Sequence, residues 1–191
     1  MALKLVCLLA AIAVARPDWL GPEGSAVDGS SNEATHEGFF FRAGLGGIPM
    51  APASVDINST GHSSLGNAAT LVRVQMGGSL VPRFAVHLSL IDALVTYQSE
   101  FQSLTFGAGF SWYSKENYFV TSSMGYLVGS DKFGNGQGYR LSIGLGKEFM
   151  VSEFSGLGAM ITWEQVKWSD PDQSLYWHAM GPGFQLTWTY N

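Results

Sequence analysis

From Met180 onward the even positions read Met180, Pro182, Phe184, Leu186, Trp188 and Tyr190, and the odd positions read Gly181, Gly183, Gln185, Thr187 and Thr189. Large apolar groups and small polar ones alternate with the two-residue period of a β-strand. A half-buried strand of a soluble protein normally turns charged side chains to water on its polar side. Here that side holds Gly, Thr and Gln, which suits a confined interior better than open solvent. The apolar side must then meet something other than a protein core. Hydrocarbon fits, and a strand can cross hydrocarbon only as a stave of a closed barrel.

Composition points the same way. Charged residues make up 13% of the chain, about half the share of an ordinary soluble domain. Aromatics are also 13%, and there are 24 glycines. No apolar run reaches the length of a membrane-spanning helix, which leaves a barrel as the spanning form. The 191 residues suggest one folded domain.

The beginning of the chain has the pattern of a secretory signal over residues 1–15. Lys4 supplies a positive start, Leu5 to Val14 an apolar stretch, and Ala13-Val14-Ala15 a cleavage site. Residues 16–37 carry Asp18, Glu23, Asp28, Glu33 and Glu37 among Gly, Ser and Pro, and are expected to form a flexible acidic tail. Cys7 is the only cysteine and lies in the signal, so neither a disulfide framework nor a thiol nucleophile is expected beyond it. The formal net charge of −5 would become −6 without Lys4. That balance argues against a nucleic-acid partner, which calls for basic patches.

Residues 38–191 alternate between two-period segments and turn-rich breaks. The first strand, Gly38 to Ile48, sets Phe39, Phe41, Ala43 and Leu45 against Phe40, Arg42, Gly44 and Gly46. A long break rich in Pro, Ser, Asn and Gly is expected from Pro49 to Asn67. The second strand spans Ala68 to Val81, the third Phe84 to Val95, with a bulge suggested at Ile91-Asp92. The fourth, around Leu104 to Trp112, alternates most cleanly, and four more follow: Tyr118 to Gly129, Gly138 to Phe149, Phe154 to Trp168, and the terminal strand. Tight turns are expected at Pro82-Arg83, Ser114 to Asn117 and Val151 to Glu153. Aromatics gather near strand ends (Phe39, Trp112, Tyr113, Tyr118, Trp163, Trp168, Trp188, Tyr190), as membrane-interface girdles would.

Eight strands with alternating longer and shorter breaks resemble the small bacterial outer-membrane barrels of the OmpA transmembrane-domain, OmpX and OmpW type. The resemblance covers roughly residues 38–191 and rests on architecture, without a signature motif. It implies an all-β fold, an eight-stranded antiparallel up-and-down transmembrane β-barrel. It also implies export through the inner membrane, insertion by the outer-membrane assembly machinery, contact with outer-membrane lipid and lipopolysaccharide, and a monomer. Members of the group often end on an aromatic; here Trp188 and Tyr190 are in phase and Asn191 follows.

An eight-stranded lumen is just wide enough for side chains to fill. The inward positions supply a polar cluster of Arg42, Arg73, Arg140, Glu148 and Glu164, with His87 among them. A hairpin centred on Ser152 would set Arg140 opposite Glu164 as an ion pair, with Arg73 free to join. Such a pair reads either as a gate or as a packing network that satisfies itself, and the second reading is favoured. His87, Ser89 and Glu100 resemble the catalytic set of outer-membrane lipid A deacylases. Their register, however, turns His87 and Ser89 into the lumen, away from any lipid ester. The recurring glycine pairs, Gly107/Gly109 and Gly144/Gly146 among them, lie within strands and are not phosphate loops. Asn58-Ser59-Thr60 matches a glycosylation acceptor that would stay unmodified in a bacterium. His36, His62 and His178 are scattered, and neither a metal site nor a cofactor is expected. The leading reading is an outer-membrane barrel with a filled polar lumen and a structural or interactive role through its external loops. A lipid-modifying enzyme and a secreted soluble barrel around a small apolar ligand remain as alternatives.

Overall fold

The computed structural model describes residues 38–57, 60–95, 102–130, 135–152, 154–170 and 175–190. The signal and tail expected over 1–37 lie outside these residues, as do Asn58, Ser59 and Glu100; of His62 and His178 only the backbone is described. Eight strands follow one another: β1 Phe39–Ile57, β2 Thr60–Val81, β3 Phe84–Val95, β4 Gln102–Tyr113, β5 Tyr118–Ser130, β6 Asn135–Met150, β7 Ser155–Asp170 and β8 Leu175–Tyr190. Each pairs antiparallel with its neighbours, and β1 pairs with β8 to close the barrel.

The connections at one end are the tight ones. Arg83 (φ 70°) and Asn117 (φ 61°) adopt the left-handed conformation that sharp reversals need. The Ser114 hydroxyl accepts from the Glu116 and Tyr118 amides at 3.2 and 3.1 Å, and Ser152 accepts from Phe154 and Ser155 in the same manner. These side-chain bonds hold the turns as backbone bonds would.

At the opposite end the structure departs from expectation. Within the stretch from Pro49 to Asn67, residues 49–57 continue β1 and residues 60–67 continue β2, paired from Ala53↔Ser64 to Ile57↔Thr60. Its prolines read as loop residues because they lack the amide a ladder uses. Pro49 and Pro52 sit where the β1–β2 register shifts, between Ile48 and Ala53, and Pro182 lies in the matching interruption of the β1–β8 ladder. At 19 and 22 residues, β1 and β2 rise well beyond the 12-residue β3. The bulge expected at Ile91-Asp92 is absent: pairing runs unbroken from Ala69↔Val95 to Ser79↔Ala85. Ile91 and Ala93 keep the inward phase because they are buried in the lumen.

The faces divide as the alternation requires. Leu45, Leu88, Phe106, Leu145, Ile161 and Leu186 are among many large apolar side chains exposed on the outer wall. So broad an apolar surface is not tolerated on a soluble monomer, and closure leaves no free sheet edge around the hydrocarbon-level wall. The barrel is a transmembrane one. The soluble ligand carrier, which needs the apolar faces inward, is excluded. Two of the expected girdle aromatics are misplaced, since Tyr113 and Trp168 occupy inward positions and are 0% and 1% exposed.

Close approach across the lumen wall explains one glycine pair. Gly107 and Gly125 face each other, and a Cβ on Gly107 would come within 2.7 Å of the Gly125 Cα. Gly107→Val should therefore destabilise the barrel by about 1–3 kcal/mol through overcrowding. Urea titration of the refolded protein measures this, and an unchanged midpoint would mean that β4 and β5 have room to part.

Candidate functional site: a layered lumen

The interior is built in three layers, and β3, β5 and β7 repeat their order. Going from the extended end toward the tight turns, β3 presents Ala93 and Ile91, then Ser89 and His87, then Ala85. β7 presents Trp168 and Val166, then Glu164 and Thr162, then Met160. β5 presents Leu127, then Ser123 and Thr121, then Phe119. All are buried. The layer toward the extended end joins Ile48, Leu71, Ile91, Leu127, Val166 and Trp168. The layer at the turn end joins Phe40, Ala85, Tyr113, Phe119 and Met160. A polar zone lies between two apolar ones.

Within it, Arg42 is the hub nearest the turns. Its Nη2 donates to Glu148 Oε1 at 2.7 Å and to the Tyr113 hydroxyl, its Nε to Thr189 Oγ1 at 3.2 Å, and its Nη1 to Gln75 Oε1 at 3.5 Å. Thr189 donates in turn to Glu148 Oε1 at 2.6 Å. The guanidinium carbon lies 4.0 Å from the Phe119 ring centroid and 5.1 Å from that of Phe40. Ring faces attract a cation there while excluding water from it. Arg42 and Glu148 are both essentially inaccessible, so removing one would leave the other desolvated and uncompensated.

A second pair stands farther up. Arg73 Nη2 donates to Glu164 Oε1 at 2.5 Å and to Ser142 Oγ at 2.7 Å, and Ser142 donates to the same carboxylate oxygen at 2.8 Å. Gln75 links Arg42 to His87 and Thr121, its Nε2 lying 3.3 and 3.4 Å from their polar atoms. Thr121 also accepts from Ser111 at 3.0 Å.

The expected Arg140–Glu164 pair does not form. The β6–β7 hairpin is centred one residue later than expected, on position 153, so Arg140 faces Val166 and Glu164 faces Ser142. Glu164 goes to Arg73, and Arg140 donates to Ser103 Oγ at 3.2 Å. Three arginines thus share two glutamates, and Arg140 is the one without a carboxylate within bonding distance among the described residues. His87 and Ser89 are 4% and 5% exposed and face this interior. Their surroundings are lumen side chains, with Thr121 at 3.4 Å from His87 Nε2. A lipid ester on the outer wall is on the other side of the sheet.

Sequence reasoning missed the two apolar layers. Their signal was present on three strands, where the inward position changes from Ser, Thr or Glu to an apolar residue toward the ends, as in Ser89, Ile91, Ala93 on β3.

No family model and no curated protein matches the sequence. Several solved barrels are similar in fold. The outer membrane protein OprG from Pseudomonas aeruginosa has TM-score 0.49 and 9% identity, with 84% of this chain and 98% of that one covered. For the outer membrane protein AlkL, determined by solid-state NMR in DMPC bilayers, the figures are 0.48 and 9%, covering 90% and 96%. For Ail, the attachment invasion locus protein of Yersinia pestis, they are 0.45 and 14%, covering 79% and 99%. These likenesses are of fold alone.

Proposed function

We propose that this chain is a bacterial outer-membrane protein, exported by its N-terminal signal and inserted as a monomer by the outer-membrane assembly machinery. It serves as a closed anchor that presents its extended end to other molecules, and it is not an open pore. The observation that carries the reading is the layered lumen: ion pairs sealed from both ends by Leu71, Ile91 and Trp168 on one side and by Phe40, Tyr113 and Phe119 on the other. An ion crossing it would have to strip its hydration against apolar side chains and displace buried salt bridges. The interactive role is supported by β1 and β2, which at 19 and 22 residues stay paired out to Ile57↔Thr60, well beyond the 12-residue β3.

Planar-bilayer recording tests the closure. Folded protein, recognised by its mobility shift on an unboiled gel, should insert without producing stable conductance steps. Regular steps at each insertion would overturn the closed-anchor reading. Membrane fractionation tests the location, with recovery in the outer membrane expected.

A further inference from the structure

The buried charges of the lumen do not cancel. Arg42, Arg73 and Arg140 stand against Glu148 and Glu164 among the described residues, which leaves one positive charge in excess. A proton on His87 would only add to it. A guanidinium does not shed its proton in a protein, so the excess cannot be removed by titration. A cation sealed from water without compensation is among the most costly arrangements an interior can hold. The excess calls for an anion.

Position singles out Arg140. It is 3% exposed, and its Nε and Nη1 have no acceptor among the described residues. Its Nη2 donates to Ser103 Oγ at 3.2 Å, so the side chain reaches from β6 over β5 to β4. Gly125 and Gly107, its successive neighbours along the row, put no side chain in that path. The next inward position after Ser103 on β4 is Thr105, whose Oγ1 is also buried and without a partner among the described residues. Donors from two elements therefore come together with nothing to receive them.

The neighbouring carboxylates do not answer this need. Glu164 keeps Oε2 unbonded, but Arg73 already holds that residue at 2.5 Å, and one carboxylate cannot neutralise two guanidiniums. Asp92 acts on Arg140 only through the barrel wall, since it alternates with the buried Ile91 and Ala93 and so faces outward. Leu127 and Val166 belong to the adjoining apolar layer. In such surroundings the cost of stripping water restricts the choice to a small, singly charged ion.

We infer that the lumen binds one halide-sized monovalent anion, such as chloride, between the unengaged edge of Arg140 and the Thr105 hydroxyl. The inference rests on the sealed lumen proposed above, which bilayer recording tests separately.

The test is urea unfolding of the refolded protein in detergent micelles, with sodium chloride exchanged for sodium gluconate at constant ionic strength. Gluconate is too bulky for this interior and serves as the inert anion. In the parent, each tenfold rise in chloride above the dissociation constant should raise the folded-to-unfolded ratio about tenfold. Arg140→Met should lose that response. Thr105→Val keeps the volume and the arginine but lacks the hydroxyl, and should need about tenfold more chloride for the same gain. Crystals grown in bromide should show an anomalous peak within hydrogen-bonding distance of Arg140. A parent midpoint indifferent to chloride would overturn the site, because water or a carboxylate from another segment would then satisfy Arg140. A response kept in full by both variants, or a bromide peak elsewhere, would overturn it as well. If Arg140→Met does not refold, Thr105→Val and the bromide position decide.

Discussion

Arg42→Met should unfold at a much lower urea concentration than the parent protein, with a loss of about 3–5 kcal/mol. Methionine keeps much of the arginine stem's volume against Phe40 and Phe119, so the loss reports chiefly on charge. Glu148, 1% exposed, would keep its Thr189 bond and lose its only ion-pair partner among the described residues. A buried carboxylate in that condition costs far more than the pair contributed, since desolvation is no longer offset by attraction. The decisive comparison is the double variant Arg42→Met/Glu148→Leu, which removes both charges. It should recover most of the stability, because an apolar replacement for a buried ion pair is often neutral or better. Tryptophan fluorescence during urea titration in detergent micelles measures all three. If Arg42→Met unfolds with the parent, the turn-end zone is wet and the sealed lumen is wrong.

A charge on the outer wall should be nearly as damaging, which would be surprising for side chains so exposed. Leu145 and Ile161 are 60% and 65% exposed and directly paired. Their distance from the Val151–Phe154 turn puts them near mid-height of a band about 25 Å tall. On a soluble protein, arginine at such positions would change stability by no more than about 0.5 kcal/mol. In a bilayer each should cost about 2–4 kcal/mol. Arg at Tyr118, beside the turn end, should cost close to nothing by the same depth rule. Vesicle-based unfolding titrations of Leu145→Arg, Ile161→Arg and Tyr118→Arg distinguish the two solvents. Equal, small effects at all three positions would mean that the apolar wall does not face lipid.

Strand number and facing were legible because alternation is a local property. Phe184, Leu186 and Trp188 turn outward and Gln185, Thr187 and Thr189 inward whatever their neighbours do, and the same holds on every strand. The turn at Pro82-Arg83 and the Ser114 turn were local too. The extension of β1 and β2 was not, since Pro49, Pro52, Ser and Asn carry loop propensity. Cross-strand pairing from Ala53 to Ile57 overrides it. Nearness to strand ends suggests a girdle role for Trp168 and Tyr113, but their parity with Glu164 and Ser111 turns them inward.

What the chain's order of residues determined by itself is a closed sheet with a greasy outside and small, polar groups within, because a period of two needs only adjacent positions. Which charge meets which was decided by tertiary structure alone. A one-residue move of the hairpin centre carried Glu164 from Arg140 to Ser142, and the curvature of the wall brought it Arg73 from across the lumen. Partners such as Arg42 and Glu148, 106 residues apart, meet only when the last strand reaches the first. Shear and closure are properties of the whole sheet, and no single segment encodes them.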